Sequence, residues 1–346
     1  MKIAVVGGGL FGCTAALYAA RAGHEVHLYE ARPELMSGAT SSTYSRLHRG
    51  YHYPRSTETG RESCQAEASF RAEFGSCVID GGRQFYVVPP SVDNLVSADA
   101  YRDFLERERL PFDETNGVFE VREPRVNLAG LQTLVRQKVA DAGVFVRLVC
   151  PAPANLRQAF DAIVVAAYSG LNDALEPLGC APRPYKFQVV ERPVALLPAS
   201  LRDASVVAID GPFGCVDPLD GTPLHILGHV VHTVHASNTG NYPEIPRHMA
   251  SVIDRGLIRN PEFTRFKNVV HDLGAYVPGI KGAVHVGSSY TVRAVLAHEE
   301  ATDRRPTLVT RHDDQVVSVF SGKLGTAVRA AQQVVTLIEA REKVAA

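Results

Sequence analysis

The chain has 346 residues, of which 45% are hydrophobic and 21% charged, and its formal net charge is −1 at pH 7. This length favours two domains, and the near-neutral charge predicts no binding to nucleic acid or to anionic membranes. No apolar run approaches the roughly 20 residues of a membrane helix and the N-terminal residues lack the pattern of a secretion signal, so we expect a cytoplasmic protein with free thiols at its six cysteines.

The first 30 residues have the pattern of a dinucleotide-binding βαβ unit. In chain order they predict a strand from Lys2 to Val6, the turn Gly7-Gly8-Gly9-Leu10-Phe11-Gly12, a helix from Cys13 to Ala22 and a strand from His24 to Tyr29 that ends at Glu30. Gly7 permits the tight turn, Gly9 lets a diphosphate approach the backbone, and Gly12 lets the helix pack on the strand. Glu30 is placed to accept hydrogen bonds from ribose hydroxyls. The alternative is a glycine-rich turn of another α/β fold.

Small residues follow Glu30, where a cofactor can again approach the backbone. Ala31 and Arg32 come directly after the acid, and a loop of mostly small residues runs from Ser37 to Ser42. This order resembles the D-amino-acid-oxidase-like superfamily of FAD-dependent oxidoreductases, although Met36-Ser37 stands where those proteins often have a glycine-containing turn. The resemblance implies FAD as the cofactor, with contacts from Ala31, Arg32, Thr40, Ser41 and Ser42.

The resemblance continues through the cofactor half of the chain. A helix-like run from Ala129 to Ala142 precedes a strand with Val144, and Asp161 to Ala167 resembles the family's next nucleotide-domain strand. Near the end, a turn precedes a helix predicted from Ala327 to Leu337, whose N-terminus points at the flavin ring in the family. A plain helix cap is the alternative for that turn. The resemblance adds these residues to the cofactor site: Val144, Ala167, Gly322, Lys323, Leu324, Gly325 and Thr326.

The fold that the resemblance implies is α/β, with a Rossmann-type FAD-binding domain interleaved with a smaller substrate domain on a mixed β-sheet. The FAD-binding domain is expected over residues 1–82, 126–180 and 281–346. The substrate-binding domain is expected over 83–125 and 181–280. The stretch from Val252 to Phe266 is a candidate helical contact surface for a homodimer, an assembly that the sequence leaves open.

A basic and aromatic segment follows the flavin-proximal loop directly. Ser45 to Ser56 contains three arginines, two histidines and two tyrosines. A solvated basic loop is one interpretation, but aromatic residues are unusual on a purely solvated surface, and this composition suits binding of a phosphate and a ring. Within it, the run from Arg49 to Tyr53 is similar to the loop beside flavin N5 in UDP-galactopyranose mutases.

A histidine-rich strand is predicted over Leu224 to His235. With a period of two residues, His225, His229 and His235 share a face with apolar residues, and His232 points the other way. No carboxylate or cysteine has matching spacing, so no metal is expected. His225 or His229 is expected to line the pocket, and an ordinary core histidine is the alternative for each.

Arg293 is the candidate for direct contact with the substrate. The superfamily has an arginine–aspartate–proline pattern between substrate and flavin, and Arg293, Asp303 and Pro306 stand in that order here. The resemblance therefore implies that Arg293 faces the substrate. A surface salt bridge from Arg293 to Glu299 or Glu300 is the competing interpretation.

Two reactions fit a flavin beneath a basic, tyrosine-lined pocket. The preferred hypothesis is a nucleotide-sugar pyranose/furanose mutase, in which N5 of reduced FAD attacks the anomeric carbon and arginines hold the departing diphosphate. Cations over the predicted pocket favour it, namely Arg46, Arg49, Arg55, Arg83, Arg183, Lys186, Arg293 and Lys323. The alternative is an oxidoreductase that moves hydride from a C–N or C–O bond of an amine, amino acid or sugar to flavin. A non-catalytic flavoprotein is the third hypothesis.

These hypotheses assign roles to individual residues. The predicted catalytic residues are His52, Tyr51 and Arg293. The predicted substrate-binding residues are Arg49, Tyr53, Arg55, Arg83, His225, His229, Tyr290 and Arg293. The expected ligand is a small molecule, a nucleoside-diphosphate sugar in the preferred hypothesis.

Overall fold

The computed structural model describes residues 1–298 and 304–340. Over those residues the helices are α1 Leu10–Arg21, α2 Thr57–Phe74, α3 Ala98–Arg107, α4 Leu128–Asp141, α5 Leu156–Ala159, α6 Leu171–Leu175, α7 Phe266–Leu273 and α8 Ala327–Glu339. None of these helices combines the length and the apolar character that a membrane span requires.

The strands come in chain order as three groups. The first is β1 Lys2–Val6, β2 Glu25–Tyr29, β3 Val78–Ile79, β4 Arg83–Val87, β5 Phe112–Thr115 and β6 Val118–Val121. The second is β7 Arg125–Val126, β8 Phe145–Arg147, β9 Ala162–Val165, β10 Tyr185–Leu196, β11 Ala204–Ala208 and β12 Gly214–Pro218. The third is β13 Leu224–His229, β14 Val234–Gly240, β15 Val284–Leu296, β16 Leu308–Arg311 and β17 Val316–Phe320.

The first sheet is the Rossmann-type sheet. Its order is β16-β17-β9-β1-β2-β8, and every neighbouring pair is parallel except β16 with β17. All four residues of β9 are buried, as expected for a parallel strand covered on both faces. Helices α1, α4 and α8 supply apolar residues to the core on one face. The α/β prediction is confirmed, and the helices begin within three residues of the predicted positions.

The second sheet is mixed and holds nine strands in the described part of the chain. Its path is β14-β10-β13-β12-β11-β4-β6-β5, and β15 pairs with β10. The pairing of β10 with β15 runs from Tyr185 opposite Leu296 to Leu196 opposite Val284. Strand β15 therefore lies in the second sheet, although residues 281–346 were predicted to belong wholly to the FAD-binding domain. Residues 341–346 of that predicted segment lie outside the described residues.

Two local predictions in the second half of the chain are wrong. The strand predicted over Leu224 to His235 stops at His229, because a turn in which the Thr233 amide donates to the His229 carbonyl separates β13 from β14. The stretch from Val252 to Phe266 is not helical before Phe266, and it contains left-handed residues at Asp254 and Asn260. It is tied to β15 by two isolated bridges instead.

Candidate functional site

A cavity of about 710 Å³ opens at the carboxyl ends of β1, β2 and β9. Parallel strands bring the turns that follow them to one edge of a sheet, and ligands of open α/β sheets bind at that edge. The volume is within the roughly 300–1,000 Å³ typical of ligand pockets. The cavity is therefore the first candidate for a cofactor site.

The glycine turn after β1 forms one wall of the cavity. Gly7 has a φ of +105°, and a Cβ on Gly12 would lie 1.8 Å from the Gly7 carbonyl oxygen, so α1 packs directly on the turn. A Cβ on Gly9 would meet only the Thr40 hydroxyl oxygen, at 3.5 Å. The backbone at Gly9 is thus open to a ligand, and the first-turn amides of α1 have no intrahelical acceptor. These features suit a diphosphate.

Glu30 is held at the edge of the cavity by backbone donors. Its Oε2 accepts from the Gly8 amide at 2.7 Å, and its Oε1 accepts from the Arg32 amide at 2.8 Å. The side chain is buried, yet it lines the cavity. A carboxylate fixed in this position can accept hydrogen bonds from a ribose.

Most of the residues predicted to contact the cofactor line this cavity. They are Gly7, Gly9, Leu10, Phe11, Glu30, Ala31, Arg32, Thr40, Ala167, Gly322, Lys323 and Leu324. The cavity therefore brings together the glycine turn, the start of α1, Glu30, and the loops at Ala167 and at Gly322 to Leu324. This combination fits an adenine dinucleotide that extends from Glu30 toward the N-terminus of α8.

The remaining predicted cofactor residues lie outside the lining. Gly12 supports the turn from behind, Val144 is buried in the hydrophobic core, and Ser42 is buried. The Ser41 hydroxyl donates to the Ser37 carbonyl, Gly325 packs on Leu47, and the Thr326 hydroxyl donates to the Lys323 carbonyl. The prediction of direct contact is not supported for these six residues.

Sequence reasoning missed two parts of the lining. The loop from Cys150 to Ala154 follows β8, and Asp254 comes from the second half of the chain. The loop had a signal, because β8 is parallel to β2 and must end at the same edge of the sheet. Asp254 had no sequence signal, because its position at the cavity depends on contacts between residues far apart in the chain.

The segment from Ser45 to Ser56 does not line the cavity, but it contacts Lys323, which does. Lys323 lines the cavity, and its ammonium lies 4.3 Å from the centre of the Tyr53 ring. The Tyr53 ring contacts His52 and His48 edge-on, with centroids 5.4 and 5.6 Å away. Of this segment, Tyr53 and the two histidines thus stand nearest to the cofactor cavity.

Burial lowers the pKa of both histidines. The pKa of His52 lies well below its usual value, and the nearby Lys323 cation adds to this effect. Nδ1 of His52 is buried without a hydrogen-bond partner among the described residues. A neutral imidazole with an unused nitrogen can make one further hydrogen bond to a ligand.

No residue of β10 or β15 lines the cavity, but Tyr168 connects the cavity lining to β15. Tyr168 lines the cavity, and its hydroxyl donates to the Ala294 carbonyl at 3.3 Å. Next to Ala294, Arg293 donates through Nε to Gln188 Oε1 at 2.9 Å, across the β10–β15 pair. Arg192 follows Gln188 by four residues and so shares its face of the strand.

Arg192 is buried, Arg293 is half-buried, and neither has an acidic partner among the described residues. Neither forms an ion pair with any described residue; Arg192 stacks on Tyr44 at 4.6 Å, and its Nε has no hydrogen-bond partner there. Burial, with the nearby Arg305 and Arg192 cations, lowers the pKa of Arg293 to about 10. Glu299 and Glu300, the alternative partners of Arg293, and Asp303 lie outside the described residues.

Other predicted substrate residues are engaged elsewhere. The Tyr51 hydroxyl donates to the Pro111 carbonyl at 2.8 Å, and the Tyr290 hydroxyl donates to the Phe263 carbonyl, so both tyrosines are core residues. Arg49 forms a bidentate ion pair with Glu67. The proposed contact of these three residues with substrate finds no geometric support.

Arg55 and Arg83 also point away from the cavity lining. Arg55 pairs with Asp210, and Arg83 is exposed with its guanidinium over the Phe85 ring. Both residues belong to local contacts of the second sheet and its loops. Composition alone could not separate such arginines from Arg293.

His225 and His229, the histidines of β13, do not line the cavity. His225 is buried, and His229 lies near His232 and Asp272, the one group of three potential metal ligands in the described residues. Nδ1 of His229 accepts from the Val231 amide at 3.2 Å, and its Nε2 faces the Asp272 carboxylate. The expectation of no metal stays a prediction.

Comparison with known proteins gives the same picture of the cofactor. A family model described as FAD dependent oxidoreductase matches residues 2–183. The FAD-dependent monooxygenase kojA of Aspergillus flavus is 27% identical, with 98% of this chain and 86% of the relative covered.

Solved structures share the fold over nearly the whole chain. Glycine oxidase from Geobacillus kaustophilus superposes with a TM-score of 0.72 at 15% identity, covering 98% of this chain and 95% of the other. Reduced L-α-glycerophosphate oxidase from Mycoplasma pneumoniae, with FAD bound, superposes with a TM-score of 0.71 at 13% identity, covering 98% and 94%. At these identities the likeness concerns the fold.

Proposed function

The chain belongs to the family of FAD-dependent oxidoreductases, its cofactor is FAD, and we propose that it oxidises a small anionic substrate, in the first place a carboxylate. The oxidised bond is a C–H bond next to nitrogen or oxygen. This is the alternative that the sequence offered beside the nucleotide-sugar mutase.

The observation that carries the proposal is that Arg192 and Arg293, on the β10–β15 face, have no ion pair with a described residue. A cation shielded from water without an acidic partner is costly, and the cost is relieved when an anion binds beside it. Among the described residues Arg293 donates to Gln188, and its guanidinium has further donors that a ligand can use. Two arginines at this position favour a substrate with a carboxylate that both can reach.

The residues near Lys323 and Tyr168 have distinct parts in this proposal. When bound, the cofactor supplies the two-electron acceptor for the substrate C–H bond. Arg293 and Arg192 orient the substrate through its anionic group, which fixes the position of the bond to be oxidised. His52 offers one hydrogen bond through Nδ1, and Tyr168 closes the cavity toward β15.

The mutase hypothesis has less support. It relied on Arg49 and Tyr51, and both side chains are used within the protein. The structural neighbours act, by their names, on glycine and on L-α-glycerophosphate, which carry a carboxylate and a phosphate group and are not nucleotide sugars. The relatives named above are a monooxygenase and two oxidases, and these names favour a redox reaction.

A monooxygenase is the second candidate, favoured by the name of the curated relative kojA. The two candidates differ in the fate of dioxygen. An oxidase releases both oxygen atoms as hydrogen peroxide, whereas a monooxygenase inserts one into the product. Mass spectrometry of the product formed under ¹⁸O₂ distinguishes them.

The test of the proposal is a substrate screen with the FAD-loaded protein. We expect turnover with at least one amino acid, N-substituted amino acid, hydroxy acid or phosphorylated alcohol, and much slower turnover with its neutral ester or amide. Arg293→Met should abolish this preference, whereas Arg83→Met, which removes an exposed arginine, should keep it. Conversion of a nucleotide sugar only after dithionite reduction would overturn the proposal and restore the mutase.

A further inference from the structure

We propose that Asp254 is an adenosine-binding residue of the FAD site, contributed by the chain segment that returns from the substrate domain. Its Oδ1 would accept a hydrogen bond from a ribose hydroxyl or from the adenine amino group. The proposal rests on FAD binding alone and does not depend on which substrate is oxidised.

The backbone fixes Asp254 at the cavity. Ile253 forms a bridge with Tyr290 of β15, and the Asp254 amide donates to the Tyr290 carbonyl at 2.7 Å. Asp254 has a left-handed φ of 54°, and its side chain contacts Arg32, which follows the first-sheet strand β2. Asp254 lines the cavity together with Glu30 and Arg32.

The two carboxylate oxygens of Asp254 differ in their surroundings. Oδ2 accepts from the Arg32 guanidinium, whereas Oδ1 is buried and no described residue donates to it. The side chain is only 11% exposed. An ionised carboxylate oxygen buried without a donor is unfavourable, and a donor from a ligand in the same cavity removes this penalty.

The position of Arg32 identifies the part of FAD that reaches Asp254. Arg32 lies two residues after Glu30, the acid at the end of β2 that meets the ribose in dinucleotide folds. The diphosphate is excluded as the partner of Oδ1, because it has no donor and would repel a carboxylate. The remaining donors near Glu30 are the ribose hydroxyls and the adenine amino group.

The proposal predicts a specific loss of affinity. For protein stripped of FAD, calorimetric titration should give a dissociation constant about 10- to 100-fold weaker for Asp254→Ala than for wild type. The loss should be equal for FAD and for ADP, which share the adenosine part. It should persist in an Arg32→Ala background, because Oδ1 acts on the ligand and not through Arg32. Asp313→Ala is the matched control, since Asp313 pairs with Arg157 outside the cavity.

Analogues identify the donor. If the donor is a ribose hydroxyl, 2′- or 3′-deoxy-ADP should bind wild type and Asp254→Ala equally well; if it is the amino group, inosine diphosphate should do so. If Asp254→Ala does not fold, Asp254→Leu fills a similar volume without an acceptor and should show the same loss. Wild-type affinity for ADP in a folded variant, or a loss that vanishes in the Arg32→Ala background, overturns the proposal.

Discussion

The two ends of the FAD cavity satisfy their polar groups in different ways. At the Glu30 end, the amides of Gly8 and Arg32 donate to the Glu30 carboxylate, and the glycine turn packs against α1. At the second end, which Tyr168 connects to β15, Arg192 and Arg293 are brought together by strand pairing, and no described acid neutralises them. At the first end Asp254 Oδ1 has no donor among the described residues, whereas at the second end two arginine cations have no acidic partner among them.

A third arginine sharpens this comparison. Arg46 lies in the same region but forms a bidentate ion pair with Asp217, at 2.7 and 2.5 Å, and Asp217 also accepts from the Ser205 hydroxyl. Arg46 is thus buried and paired, whereas Arg293 is half-buried and has no ion pair with a described residue. Arg192 is buried like Arg46 but lacks such a pair, so pairing separates these two arginines and burial does not.

The largest expected effect is the difference in the free energy of unfolding between the variants Arg46→Met and Arg293→Met. Arg46→Met leaves the buried Asp217 carboxylate without its partner cation and should lower the free energy of unfolding by about 3–5 kcal/mol. Arg293→Met removes a half-buried cation that has no ion pair with a described residue, and it should leave that free energy unchanged or raise it by about 1 kcal/mol. Urea unfolding at a fixed FAD concentration measures both. A loss of several kcal/mol in Arg293→Met would mean that Arg293 is structural.

The second effect is a difference between Gly9 and Gly12 in whether a substitution affects stability or FAD binding. Gly12→Ala places a Cβ against the Gly7 carbonyl and should destabilise the FAD-free protein by about 3 kcal/mol. Gly9→Ala faces the open cavity and should leave the FAD-free protein intact while weakening FAD binding. Thermal unfolding and FAD titration of both variants test this. Equal destabilisation by the two substitutions would contradict the assignment of Gly9 to the ligand side.

The third effect is the pH dependence of anion binding. Since the pKa of Arg293 is lowered to about 10, its cation is present at neutral pH and is lost as pH rises through that value. The affinity for a carboxylate should therefore be level below this pH and fall about tenfold per pH unit above it. Benzoate titration, followed by the flavin spectrum, measures this, and uncharged benzamide controls for other titrations. A level benzoate profile to pH 11 would remove Arg293 from the anion site.

The smallest effect concerns Tyr51. Tyr51→Phe removes one hydroxyl that donates to the Pro111 carbonyl and should cost about 1 kcal/mol of stability, with kcat and KM unchanged. Urea unfolding and steady-state kinetics check both parts. A large fall in kcat with unchanged stability would return Tyr51 to the catalytic residues predicted from the sequence.

Sequence reasoning identified site residues whose contacts are close in sequence, and it missed those whose contacts are distant in sequence. The glycine turn, Glu30 and the loop before α8 were found because each depends on residues close in sequence. Arg192 was missed because its face is defined only by the long β10–β15 pairing, and Asp254 because its approach needs a left-handed residue in a returning segment. Arg49 and Tyr51 were assigned to substrate because composition cannot reveal that Glu67 and Pro111 are their partners.

The most direct test of the account is anaerobic reduction of the FAD-loaded protein by its substrate. We predict that an acid from the screen bleaches the oxidised-flavin absorption, that its methyl ester does so far more slowly, and that Arg293→Met removes the difference. Equal rates of bleaching by the acid and its ester in the wild-type protein would contradict the claim that Arg192 and Arg293 select an anionic substrate.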